Sequence, residues 1–97
     1  MGYDILINVA NWPEIRARHW KTFLRSRAIE NQAYCIGVNR IGIDGRSIIY
    51  SGDSAAFDYD GHTLACLGNT EGIITAILNK GNLTQYRKDF PFLNDMD

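Results

Sequence analysis

The sequence predicts an α/β protein with a mixed, mostly antiparallel sheet and one long helix. Three observations lead to this class. Residues 3–10 (YDILINVA) form a continuous apolar run, which is typical of a strand buried on both faces. An amphipathic segment follows at Glu14–Gln32, and short β-type runs separated by turn residues fill most of the remaining sequence.

The helix prediction rests on spacing. After the first strand, Pro13 is well suited to the first turn of a helix. Apolar residues then recur at three- and four-residue intervals between arginines and lysines, which gives one apolar stripe; they are Ile15, Trp20, Phe23, Leu24 and Ala28.

The β-type runs are bounded by turn residues. Asp60-Gly61 is a strong two-residue hairpin signal between two of these runs. The predicted strands are Ala33–Ile41, Ser47–Tyr50, Ser54–Tyr59, His62–Leu67 and Gly72–Leu78. A short helix is predicted at Leu83–Lys88, followed by a hydrophobic strap at Phe90–Leu93.

One long helix can cover only one face of this sheet. Several strands are nevertheless apolar on both faces, so a second apolar layer is needed. The residues that require it are Val9, Ile36, Val38, Ile73, Ile74 and Ile77. We expect that layer to come from a partner chain or from another part of the same domain.

Composition sets limits on the function. The 97 residues, 45% of them hydrophobic, suit one small domain, and the net charge of −1 favours neither nucleic acid nor an anionic membrane as a partner. Basic residues cluster on the predicted helix, where a solvated or salt-bridged face is the expected explanation. They are Arg16, Arg18, Lys21, Arg25 and Arg27.

The two cysteines, Cys35 and Cys66, each stand alone in an apolar run. The sequence has no CxxC and no histidine at metal-ligand spacing, so we predict no metal site. No signal-like or membrane-spanning segment is recognised, and a reduced, cytoplasmic setting is the expectation.

Four residues invite a catalytic interpretation that the sequence does not favour. Ser54 follows Gly52-Asp53, but Ala56 stands where a nucleophile elbow needs glycine, and a strand follows instead of a helix. Cys35 lies within a predicted buried strand, where a thiol is inert. His19 and His62 have no obvious carboxylate or serine partner in the sequence.

Two other groups of residues are better candidates. Asn11 and Trp12 form the turn between the first strand and the helix, where α/β folds place ligands, although Trp12 could equally be a staple for the helix N-terminus. Arg27 and Glu30 stand one turn apart and can pair, and Asn31 lies at the helix end, where carbonyls need donors.

The motifs N-x-A-N-W-P (residues 8–13) and R-A-I-E-N-Q-A-Y (residues 27–34), followed by Y-S-G-D-S (residues 50–54), resemble the C-terminal half of the nitrilase superfamily of carbon–nitrogen hydrolases, in its omega-amidase-like branch. The resemblance implies half of an αββα sandwich over residues 1–97. It also implies hydrolysis of linear amides of small dicarboxylic acids through a cysteine acyl-enzyme, without a metal or cofactor. The catalytic Glu, Lys and Cys of that family would precede Met1.

The same resemblance implies roles and partners. Asn11 and Trp12 would border the substrate pocket, and Arg27, Glu30 and Asn31 would form a structural lock behind it. The partners would be the N-terminal half of the fold and a second copy bound through the helix at residues 14–32. Three hypotheses remain open: part of a working amidase, a truncated, non-catalytic remnant that at most binds or oligomerises, or an unrelated small binding domain.

Overall fold

The computed structural model describes residues 3–91. Six strands follow one another along the chain: β1 (Ile5–Ala10), β2 (Tyr34–Asn39), β3 (Ile41–Ile43), β4 (Ile49–Ser51), β5 (Ser54–Phe57) and β6 (Thr63–Gly68). Four of them form a sheet in the order β1-β2-β5-β6, and β3 pairs with β4 in a separate hairpin. The β1–β2 pair is parallel and the other pairs are antiparallel, so the predicted mixed sheet is confirmed.

The long helix, α1, spans Ala17–Asn31 and is preceded by a 3-10 turn at Glu14–Arg16. The prediction of Glu14–Gln32 therefore located the helix but extended past its α-helical part at both ends. Gln32 ends the helix because its φ of 45° and ψ of 53° are left-handed, and its backbone N–H donates to the carbonyls of Ala28 and Ile29.

Helix α1 packs on one face of the sheet and forms the core there. The buried cluster combines Trp20, Leu24 and Ala28 of the helix with Cys35, Ala55 and Phe57 of the sheet. Gly37 allows the close approach, because a Cβ at that position would lie 2.5 Å from Leu24 Cδ1 and 2.7 Å from Trp20 Cζ2. The apolar stripe predicted from the helical spacing thus faces the sheet, except for Ile15, which is exposed.

The opposite sheet face is covered near Tyr34, which is buried and bonded to Asn79 at the start of the second helix, and uncovered toward the carboxyl ends of β1 and β2; we call this uncovered part the open face. In β1 the side chains alternate, so that Leu6 and Ala10 pack toward the core while Ile5, Ile7 and Val9 point away from it. The parallel register places Ile36 beside Ile7, and Val38 beside Val9. Val9 is 80% exposed and Ile7 60% exposed, which matches the expected need for a second apolar layer.

The strand predicted at Gly72–Leu78 is wrong as a paired strand, because residues 71–79 make no sheet in the structure. Side-chain exposure nevertheless alternates from residue 73 to residue 78, as in a strand. Ile73 is 94% exposed and Ile77 86% exposed. The sequence does produce the alternation of exposed and less exposed side chains. A paired strand also needs a neighbouring strand, and residues 3–91 place none beside this segment.

The second helix, α2 (Lys80–Asp89), contains the predicted helix at Leu83–Lys88 and begins at Asn79, whose side chain accepts a hydrogen bond from the Asn82 N–H. Arg87 ties this helix to the start of β1: its guanidinium donates to an Asp4 carboxylate oxygen at 2.9 Å and to the Tyr3 carbonyl at 2.8 Å. Hydrogen bonds from Lys80 and Arg87 hold the pKa of Asp4 below its ordinary value.

The predicted strap at Phe90–Leu93 lies only partly within the described residues. Gln32 Nε2 donates to the Phe90 carbonyl at 2.6 Å, so the chain after α2 is fixed to the end of α1. Phe92 and Leu93 lie outside the described residues. Of the helices in residues 3–91, neither is long and apolar enough to cross a membrane.

Candidate functional site

The predicted site residues Asn11 and Trp12 lie just beyond the carboxyl end of β1, where the chain turns toward α1. Asn11 is exposed, and its side chain forms no hydrogen bond to the described part of the chain. It is therefore available to a ligand or a partner. Trp12 is half-buried and has a different environment.

The Trp12 ring packs against the beginning of α1. Its centroid lies 5.5 Å from the Trp20 ring and 6.0 Å from the Phe23 ring, and its indole N–H donates to the Arg16 carbonyl at 2.6 Å. The Arg16 guanidinium lies over the same ring, 5.3 Å from its centroid. These contacts are those of a helix staple, the alternative left open above. A contact between Trp12 and substrate stays a prediction.

The outer edge of this aromatic cluster borders a surface groove of about 520 Å³. Trp12 and Phe23 line it together with Arg16, Arg18, His19 and Thr22. The lining thus contains two guanidinium groups and no carboxylate. Such a groove suits an anionic group better than a cation.

The backbone of Trp12 is held by a residue that the sequence analysis did not single out. Asn39, at the end of β2, accepts a hydrogen bond from the Trp12 N–H at 2.7 Å and donates one to the Trp12 carbonyl at 2.9 Å. The side-chain amide of Asn39 also donates to the Gly52 carbonyl at 3.0 Å. No local pattern marks Asn39, because its partners lie 27 and 13 positions away in the chain.

The predicted lock residues form a local cluster at the end of α1. Arg27 and Glu30 pair at 3.5 Å, with about half of each side chain exposed. Asn31 is buried, and its Nδ2 donates to the Arg27 carbonyl at 2.9 Å. The pairing within the helix is thus present, whereas a role for these residues behind an active site stays a prediction.

These environments predict different stabilities for two variants. Asn31→Ala removes a buried hydrogen bond and is expected to cost about 1–3 kcal/mol in the free energy of unfolding. Glu30→Ala removes a half-exposed ion pair and should cost at most about 1 kcal/mol. Urea unfolding at low protein concentration, followed by circular dichroism, measures both. A larger loss for Glu30→Ala than for Asn31→Ala would contradict this ranking.

The candidates that the sequence did not favour as nucleophiles occupy non-catalytic environments. Cys35 is fully buried beneath α1, and burial raises the pKa of its thiol, which opposes formation of the thiolate. Cys66 is a free, exposed thiol on the edge strand β6. The Ser54 hydroxyl accepts from the Asn39 N–H at 2.9 Å and donates to the Asn39 carbonyl, so it joins β5 to β2.

His19 and His62 are both exposed. The expectation that neither has a carboxylate partner is wrong for His62, whose Nδ1 lies 3.6 Å from Asp58 and 3.7 Å from Asp60. The hairpin at Asp60-Gly61 creates this arrangement, because Asp58 Oδ1 accepts from the backbone N–H groups of Asp60 and His62. Within residues 3–91, no group of three or more His, Cys, Asp or Glu side chains is arranged to hold a metal ion.

The structure places this chain in the class of α/β layers: the long helix packs on one face of the sheet, and the open face lies on the other. The turn at Asn11–Trp12 lies at the carboxyl end of the first strand. The carbon–nitrogen hydrolase family model matches residues 1–88. The chain is similar to the omega-amidase YafV of Escherichia coli K12, with 43% identity over 96 residues that cover 98% of this chain and 38% of that protein.

Two further proteins similar to this chain are also carbon–nitrogen hydrolases or amidases. The 2-oxoglutaramate amidase of Paenarthrobacter nicotinovorans is 40% identical over 94 residues, which cover 97% of this chain and 32% of that protein. The crystal structure of XC1258 from Xanthomonas campestris, a CN-hydrolase superfamily protein with an arsenic adduct in its active site, superposes with a TM-score of 0.94 at 41% identity, covering 98% of this chain and 36% of that one.

This chain belongs to the carbon–nitrogen hydrolase family. The resemblance to the nitrilase superfamily, and with it the fold class, is confirmed. The chain spans less than two-fifths of the length of these relatives.

Proposed function

We propose that this chain is the C-terminal part of an omega-amidase-like carbon–nitrogen hydrolase domain. The complete enzyme would hydrolyse linear amides of small dicarboxylic acids, of which 2-oxoglutaramate is the representative substrate. The observation that carries the proposal is the family match over residues 1–88 in a chain that covers 38% of its omega-amidase relative. The open face supports it, because Ile7 and Val9 need a covering layer.

We place the catalytic Glu, Lys and Cys outside this chain. In the reaction that the resemblance implies, the thiolate attacks the amide carbon and ammonia leaves after protonation. Water then hydrolyses the thioester, with Glu relaying the protons and Lys stabilising the oxyanion. Support comes from Cys35, which is buried beneath α1 and bears a thiol of raised pKa, the opposite of what a nucleophile needs.

The proposal assigns a place to each partner. The N-terminal part of the domain covers the open face, and Asn11 and Trp12 border the substrate pocket at the carboxyl end of β1. A second copy of the complete protein binds through the helix at residues 14–32, whose exposed surface is mostly polar and includes Ile15 and Ile29. A cytoplasmic setting belongs to the same proposal, and the two free cysteines support a reducing compartment.

Co-expression tests the proposal. Alone, the chain is expected to release no ammonia from 2-oxoglutaramate above the buffer rate. Co-expressed with the N-terminal part of the Escherichia coli omega-amidase, it should form a complex that does so, and Cys35→Ala in this chain should leave that activity unchanged. Activity of the chain alone that disappears in Cys35→Ala would overturn the proposal. A stable complex without activity would favour the non-catalytic remnant.

A further inference from the structure

Asn39 connects three segments that are distant in the sequence. Its Oδ1 accepts from the Trp12 N–H, while its Nδ2 donates to the carbonyls of both Trp12 and Gly52. The Asn39 backbone is itself fixed, because its N–H donates to Ser54 Oγ at 2.9 Å. The side chain thus joins the turn after β1 to the turn before β5.

The two bonds to Trp12 have the geometry of a strand pairing. The β1–β2 ladder ends at the pair Ala10 and Asn39, so Trp12 lies beyond its last backbone pair. The side-chain amide of Asn39 takes the place of a backbone partner for Trp12: it accepts from the Trp12 N–H and donates to the Trp12 carbonyl. Trp12 is therefore held through its backbone at both polar groups.

Few side chains can perform this task. Two N–H donors and one carbonyl acceptor on a short stem are required, and these are the groups of an asparagine amide. Aspartate at this position would place carboxylate oxygens against the carbonyls of Trp12 and Gly52, which have no proton to donate. Alanine would leave a donor and two acceptors without partners.

We propose that Asn39 is the positioning residue of the pocket wall formed by Asn11 and Trp12. The inference rests on the proposed function, in which this turn borders the substrate. Asn39 touches no reacting atom and acts through the backbone of Trp12. The indole packing against Trp20 and Phe23 fixes the ring, whereas Asn39 fixes the direction in which the chain leaves β1.

The test has two independent measurements on the chain co-expressed with the N-terminal part of the Escherichia coli omega-amidase. The first is hydrogen exchange at the Trp12 amide. Asn39→Ala should accelerate it, whereas Asn69→Ala, at an exposed turn residue after β6, should not. Unchanged exchange in Asn39→Ala would overturn the inference whether or not the complex is active, so this arm is separate from the proposed function.

The second measurement is the kinetics with 2-oxoglutaramate. A displaced pocket wall should raise KM by about tenfold while kcat is kept, because the wall binds substrate and takes no part in bond making. A merely structural role would lower kcat through loss of folded enzyme and leave KM unchanged. Faster hydrogen exchange at the Trp12 amide with an unchanged KM would mean that Asn39 only stabilises the fold, and would overturn its positioning role.

Discussion

Replacing Ile7 and Val9 together with lysine is expected to convert the isolated chain from a self-associating species into a monomer. Both side chains belong to the open face and are 60% and 80% exposed. Contiguous apolar surface of this kind drives association in water, and two charges within it oppose that association. Light scattering should report mixed oligomers for the unmodified chain and a mass near 11.0 kDa for the Ile7→Lys/Val9→Lys variant.

The same double variant should fail to assemble with the N-terminal part of the Escherichia coli omega-amidase. A covering layer would bury both lysines without partners, which is costly for a charged group. Ile43→Lys is the control, because Ile43 is 65% exposed but lies in the separate β3–β4 hairpin. It should leave both self-association and assembly unchanged. A monodisperse, unmodified monomer with a sharp melt would contradict the open-face account.

Local signals in the sequence located most of the fold. Asp60-Gly61 located the hairpin between β5 and β6, where Gly61 adopts a φ of 85° that other residues rarely accept, but the loop spans residues 58–62 and not the predicted two residues. The spacing of Trp20, Leu24 and Ala28 predicted the buried stripe of α1. In each case the residues that determine the conformation are neighbours in the sequence or one helical turn apart.

The predictions from the sequence failed where a residue's conformation or role depends on contacts with residues that are distant in the sequence. The alternation of side chains at Gly72–Leu78 is that of a strand. A strand pairs only when the edge of another strand lies beside it, and a local sequence pattern does not reveal whether one does. The predicted strand Ala33–Ile41 ends instead at Asn39, and the chain enters a separate hairpin at Ile41. Asn39 was missed for a related reason, because its role appears only once the fold brings Trp12 and Gly52 beside it.

Trp20→Ala is expected to abolish cooperative folding of the chain. The side chain is 1% exposed, packs beside Leu24, and donates its indole N–H to the Asp53 carbonyl at 2.9 Å. Truncating a buried tryptophan costs about 3–5 kcal/mol. That loss is comparable with the lower end of the total stability of a small domain, about 5–15 kcal/mol.

The loss is large because Trp20 also holds the turn before β5. Asp53 adopts a φ of 57°, an uncommon conformation outside glycine, and both Trp20 and Lys21 bind this residue, through its carbonyl and its carboxylate respectively. Without the indole, the helix loses its anchor on that turn as well as its largest core contact. Trp20→Phe separates the two effects, since it keeps an aromatic ring and should cost only about 1–2 kcal/mol for the lost hydrogen bond and volume.

Urea titrations followed by circular dichroism, in the monomeric Ile7→Lys/Val9→Lys background, measure these losses free of self-association. His19→Ala is the matched control: it changes the adjacent, exposed residue on α1 and should shift the free energy of unfolding by less than about 0.5 kcal/mol. The expected order of stability is His19→Ala, then Trp20→Phe, then Trp20→Ala. If Trp20→Ala unfolds at the same urea concentration as His19→Ala, the helix does not dock on the sheet through Trp20, and the core described above is incorrect.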